Sequence, residues 1–156
     1  MKPDREEEEE LLNKLRHFCS FRDRCTSEVE QKLQSLNVVP AKRPELLDRL
    51  RSEKFLDDRR YAGSFARGKF HHNRWGRVKI AYELAGRGLP GNIIREGLEE
   101  IDEEEYVTVV IDLIRKKSEE IKDVKKFPIR NKILTFVSRK GFEAELVSKV
   151  MNELKI

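Results

Sequence analysis

Three times in this chain an apolar residue is followed four positions later by Asn or Gly, and then at once by a second apolar residue. The three instances are Leu33–Asn37–Val38, Leu84–Gly88–Leu89 and Val137–Gly141–Phe142. Asn and Gly are the residues that most readily take the left-handed conformation that ends an α-helix. The apolar residue behind them folds back onto the last helical turn. Four positions upstream, Val29, Ile80 and Ile133 continue the same apolar face. The stops lie 51 residues apart from Leu33 to Leu84, and 53 apart from Leu84 to Val137. A period of this length describes one small supersecondary unit used three times.

The rest of each unit follows the same plan. Leu11, Leu12, Leu15 and Phe18 keep helical spacing before the first stop, as do Tyr61, Phe65 and Ala66 before the second. Val107, Val110, Ile111 and Ile114 do so before the third. After the stops, Leu46, Leu47 and Leu50 correspond to Ile93, Ile94 and Leu98 and to Leu146, Val147 and Met151. Pro44 and Pro90 fall where a first helical turn tolerates proline. Ser27-Glu28-Val29-Glu30 reads as a capping box, and Asp57-Asp58 as an N-cap with a first-turn charge. Lys116 to Pro128 reads as a solvated helix end and loop. The expected fold is all-α, with about nine helices in three tandem three-helix repeats. Residues 1–55 hold an acidic N-terminal segment and the first repeat, 56–101 a basic second repeat and 102–156 the third. Each module resembles a helix-turn-helix in outline.

Composition narrows the function. The chain is 40% charged and 38% hydrophobic, which suits thin modules with narrow apolar stripes. No apolar run is long enough to span a membrane, and the first residues lack the apolar core of a secretory signal. Cys19 and Cys25 read as structural thiols of a reduced, cytoplasmic chain. His17, His71 and His72 have no recognised metal-ligand spacing. No nucleophile and base are paired in a way that identifies an enzyme. Neither a metal nor a cofactor is expected.

The net charge of +4 conceals a segregation. Between Asp58 and Arg95 the bases are Arg59, Arg60, Arg67, Lys69, Arg74, Arg77, Lys79, Arg87 and Arg95, against only Asp58 and Glu83. Acids collect at Glu6 to Glu10 and between Glu99 and Glu105. A basic centre between acidic flanks can meet a phosphate backbone or an acidic protein surface, although a solvated helix face is the ordinary alternative. Trp75 can stack on a base or pack against its own module. Gly76 beside it permits two helices to approach closely. Gly86-Arg87-Gly88 is not a phosphate loop, because it ends a helix and lacks the following Lys-Ser/Thr. The candidate contact residues are Arg59, Arg60, Arg67, Lys69, Arg74, Trp75, Arg77, Lys79 and Arg87.

Two stretches of the second unit carry a family resemblance. Phe55-Leu56-Asp57-Asp58-Arg59-Arg60-Tyr61-Ala62, with Phe65-Ala66-Arg67, resembles the first-helix signature of RecX-type regulatory proteins. Trp75-Gly76-Arg77-Val78-Lys79-Ile80-Ala81-Tyr82-Glu83-Leu84, with Arg87-Gly88-Leu89, is similar to that family's middle-helix signature. Arg139-Lys140-Gly141-Phe142 is similar to its C-terminal ending. Ala85-Gly86 and Asn37 depart from the family pattern, and the glutamate-rich start lies outside it. The resemblance implies an elongated, curved array of tandem three-helix repeats that binds the RecA filament on DNA and inhibits its growth, ATP hydrolysis, strand exchange and co-protease activity. Single- or double-stranded DNA is a further expected partner, and the chain is expected to act as a monomer. A helix-turn-helix-like DNA-binding protein acting without RecA is the alternative.

Overall fold

The computed structural model describes residues 3–121 and 126–156. Among them are nine α-helices and no strand: α1 (Pro3–Phe21), α2 (Thr26–Ser35), α3 (Arg43–Ser52), α4 (Asp58–Asn73), α5 (Arg77–Gly86), α6 (Gly91–Leu98), α7 (Glu103–Glu120), α8 (Lys126–Arg139) and α9 (Ala144–Glu153). A short 3-10 turn at Pro40–Lys42 leads into α3. The solvated loop expected after Lys116 begins later than that, because α7 continues to Glu120. Part of that stretch lies outside the described residues.

The three repeated stops adopt the backbone that their residues favour. Asn37, Gly88 and Gly141 have φ of 61°, 80° and 99°. Behind two of them the returning bond closes, from Val38 N to the Leu33 carbonyl at 3.0 Å and from Leu89 N to the Leu84 carbonyl at 3.3 Å. The same device also ends helices where no Gly or Asn marks it. Lys54, Arg74 and Lys155 have φ of 66°, 54° and 58°. They are followed by bonds from Phe55 N to Leu50 O at 2.9 Å, Trp75 N to Lys69 O at 3.1 Å and Ile156 N to Met151 O at 3.0 Å. Each of these left-handed Lys or Arg residues costs about 1–2 kcal/mol relative to a right-handed one, which the packing of the returning residue offsets.

Helix starts follow the sequence less closely. Asp57 caps α4, its carboxylate accepting from Arg60 N at 3.0 Å. The box that opens α2 is shifted two residues from Ser27–Glu30. Cys25 is the N-cap residue, and its backbone N–H donates to Glu28 Oε1 at 3.3 Å. Pro44 sits in the first turn of α3, whereas Pro90 is the residue before α6.

Burial produces two cores. Leu12, Leu15, Val29, Leu33, Leu46, Leu47 and Leu50 form one, entirely within α1–α3, closed by Leu56 from the link that follows. The other runs without interruption through α4–α9, from Tyr61, Ala66 and Phe70 to Ile133, Val137 and Met151. Phe70, Tyr106 and Phe142 bridge its two halves, with ring centroids 5.7 Å apart for the first pair and 5.0 Å for the second. Each such pair is worth about 0.5–1.5 kcal/mol beyond the area it buries. Within the first half, α4 and α6 cross so closely that a Cβ on Gly97 would lie 2.9 Å from the Ala62 carbonyl carbon.

Candidate functional site

The cations of α4 and α5 divide into two sets. Five of the arginines expected at the contact surface are held by carboxylates. Arg59 reaches Glu96 at 2.9 Å, Arg67 reaches Glu100 at 2.6 Å and Arg60 reaches Asp23 at 3.3 Å. Arg60 also donates to the carbonyls of Lys54 and Phe55, at 3.1 and 3.3 Å, across the end of α3. Arg87 donates to the Glu83 carboxylate at 3.1 Å and lies 4.7 Å from the Phe65 ring centroid. Glu100 and Glu103 belong to the acidic flank of the sequence, Glu96 lies just ahead of it, and folding returns all three onto the basic centre. Exposed pairs of this kind contribute at most about 1 kcal/mol, so they fix orientation more than stability.

Arg77 is the most deeply engaged of the nine. Its guanidinium pairs with Glu103 at 2.8 Å and with Glu143 at 3.0 Å, and its carbon lies 3.9 Å from the Tyr106 ring centroid. Its backbone N–H donates to the Tyr106 hydroxyl at 2.9 Å, and that hydroxyl donates to Glu143. Burial works against the charge on Arg77, but Glu103 and Glu143 outweigh it and hold the guanidinium firmly protonated. Burial pushes the Tyr106 hydroxyl well above its ordinary range, and the neighbouring Glu143 carboxylate adds to the effect. The hydroxyl therefore stays neutral and serves as donor and acceptor at once. Arg77 thus joins α5 to the third group of helices, and a role at the surface falls to other residues.

Lys69, Arg74 and Lys79 form the second set, with no carboxylate partner among the described residues. They surround Trp75. Lys69 Nζ lies 4.8 Å and Lys79 Nζ 4.4 Å from the indole centroid, and Phe65 meets the indole edge-on at 6.4 Å. Trp75 is only partly exposed. Of its two expected roles, packing within its own module is the one its contacts serve, and it holds two ammonium groups at fixed positions.

The neighbouring cations come from a part of the chain that the charge pattern did not single out. Gly76 N donates to the Lys140 carbonyl at 2.8 Å and Val78 N to the Gly141 carbonyl at 2.9 Å. A Cβ on Gly76 would lie 2.3 Å from the Gly141 carbonyl carbon, so this seam requires glycine there. The close approach expected at Gly76 is therefore between the start of α5 and the stop behind α8. At that stop stand exposed Arg139 and half-buried Lys140, and Gly141 backs directly onto Lys79. The repeated stop was the available signal: Gly141 is its third copy, and its carbonyls are the seam's acceptors.

Among the described residues no cluster of His, Cys, Asp or Glu is arranged to hold a metal. No helix among them is long and apolar enough to cross a membrane.

A family model described as RecX, second three-helix domain, matches residues 57–98, the stretch that contains α4, α5 and α6. The regulatory protein RecX of Oceanobacillus iheyensis is 32% identical over 139 residues, covering 88% of this chain and 51% of that protein. The chain belongs to the RecX family. A second RecX regulatory protein, from Bacillus subtilis, is 24% identical over 144 residues, covering 92% of this chain and 54% of its own. The chain thus spans about half the length of the curated RecX relatives it matches. The fold agrees with a crystal structure of RecX from Lactobacillus salivarius, at a TM-score of 0.89 and 23% identity, over 96% of this chain and 97% of that one. Its all-helical, three-helix-domain architecture is that of RecX structures.

Proposed function

We propose that this RecX-family chain binds the RecA filament on DNA and inhibits filament growth, ATP hydrolysis, strand exchange and co-protease activity. In this reading it modulates homologous recombination, DNA repair and the SOS response from the cytoplasm, as a monomer and without catalysing a reaction. The modules 1–55, 56–101 and 102–156 would present successive surfaces to the filament. The carrying observation is the set Lys69, Arg74 and Lys79 at the α4–α5 edge, without a carboxylate partner among the described residues and with two of its ammonium groups over Trp75. Such cations meet a polyanion without first breaking an internal ion pair.

The test is RecA filament extension on single-stranded DNA, followed with and without the purified chain. Sub-stoichiometric chain should slow extension. Glu at Lys69, Arg74 and Lys79 together should weaken inhibition by at least about tenfold, because each lost phosphate contact steepens the loss. The helical circular dichroism should be unchanged. Unaltered assembly and ATP hydrolysis at saturating chain would overturn the reading. Full inhibition by the triple variant would remove this edge from it.

A further inference from the structure

The outward face of α5 is apolar in a chain of which 40% is charged. Ile80 and Leu84 point inward and are fully buried. On the opposite side Val78 is 55% and Tyr82 78% exposed, one helical turn apart. Ala85 and Gly86 continue that side toward the C-terminus, and nothing lies within 4 Å of a Cβ placed on Gly86. No side chain projects from Gly86, so the helix is bare on the C-terminal side of the phenol ring. Lys79, three residues before Tyr82, is the charge beside it, held over Trp75 at 4.4 Å. Glu83, the one carboxylate on α5, is bound to Arg87. Beyond Val78 lies the seam, with Arg74 at the end of α4.

We infer that the outer face of α5 is a stacking platform for an unpaired nucleobase of single-stranded DNA, with Tyr82 beneath the base and Lys79 and Arg74 on the adjoining phosphates. This rests on the reading that the basic edge meets DNA, and it predicts a preference for single strands carried by one residue. An exposed aromatic ring next to uncompensated cations is the arrangement that binds single strands with little regard to sequence. In a duplex the base faces are covered by their neighbours, so the ring gains nothing there. Trp75, with ammonium groups of Lys69 and Lys79 over its ring and Phe65 at its edge, is less open to a base than Tyr82. A protein partner for the same face would have to set carboxylates against the cations at its edge, and its binding would not distinguish single strands from duplex.

The test uses the chain alone, without RecA. Anisotropy titrations are run with a labelled oligothymidylate, a duplex of equal length and heparin, for wild type, Tyr82→Ala and Tyr82→Phe. Tyr82→Ala should weaken oligothymidylate binding about tenfold and leave duplex and heparin within about twofold. Tyr82→Phe, which keeps the ring, should restore single-strand binding. Because Tyr82 is exposed, neither change should alter thermal unfolding. Equal single-strand affinity for Tyr82→Ala and wild type would overturn the inference, as would an equal loss on all three ligands. A Tyr82→Ala chain that keeps DNA affinity but no longer acts on RecA would assign the face to protein contact and overturn it too. Failure of the RecA reading looks different: the pattern on DNA stands while filaments grow unhindered.

Discussion

The two joints between neighbouring helix groups are made from different materials. Between α4–α6 and α7–α9 the joint is a continuous core with the Phe70–Tyr106–Phe142 stack, two backbone hydrogen bonds at Gly76 and Val78, and the Arg77–Tyr106–Glu143 connection. Between α1–α3 and α4 the joint is mostly polar. Thr26 donates to Asp58 through its N–H at 2.9 Å and its hydroxyl at 2.8 Å, and Arg60 bridges to Asp23 and to the end of α3. Of the first group, Cys25 is the residue that enters the larger core. Beside it Glu28 is desolvated, yet bonds from Cys25 and the charge of Arg22 hold its carboxyl below the usual range. Apolar contacts are lost all together or not at all, while polar ones exchange with water one at a time. The apolar joint should therefore unfold with its neighbours, and the polar one should open by itself.

The largest expected effect is at the seam. Gly76→Ala forces a methyl against the Gly141 backbone and breaks both seam hydrogen bonds, so α4–α9 should lose about 3 kcal/mol as a unit. Denaturant unfolding reads this, and a loss under about 1 kcal/mol would mean the seam is softer than its geometry. A smaller effect is expected at the polar joint. Asp58→Ala should cost about 2 kcal/mol, the scale of hydrogen bonds to a charged acceptor. Hydrogen exchange should then quicken in α1–α3 and at the start of α4 while α7–α9 keep their protection. Matching acceleration in both halves would erase the distinction between the joints. The smallest effect is expected at Arg74→Gly. Glycine relieves the positive φ of 54°, so the melting temperature should hold or rise by the equivalent of up to about 1 kcal/mol. Affinity for a polyanion should fall in the same variant. A drop in stability would show that the Arg74 side chain packs, and would move it out of the contact surface.

Much of the helical frame was legible because it is local. Asn37, Gly88 and Gly141 announce their stops by residue type, and the apolar faces of α1, α4, α7 and α9 follow from spacing alone. Lys54, Arg74 and Lys155 do not, since long charged residues enter the left-handed region only when tertiary packing of the next residue demands it. Cys25 hid the start of α2 for a similar reason, being a weak capping residue whose N–H is satisfied by Glu28. The charge pattern was legible as a list and misleading as a surface. Glu96, Glu100 and Glu103 come back onto Arg59, Arg67 and Arg77 through turns that no local rule places. The Lys140 and Gly141 carbonyls reach the start of α5 by the same long-range route.

Every α-helix ends in a cluster of carbonyls with a partial negative charge. At Lys54, Arg74 and Lys155 the residue that breaks the helix is itself a cation, set one step past that negative pole. Chain reversal and local neutralisation are then a single event in a single residue. At Arg74 the positive charge also stands at the rim between α4 and α5, where the turn's geometry fixes its anchor. A substitution there retunes how the strand of polypeptide bends and what the rim attracts in one step, so mutational scans at this position will report the two together unless backbone and charge are changed separately.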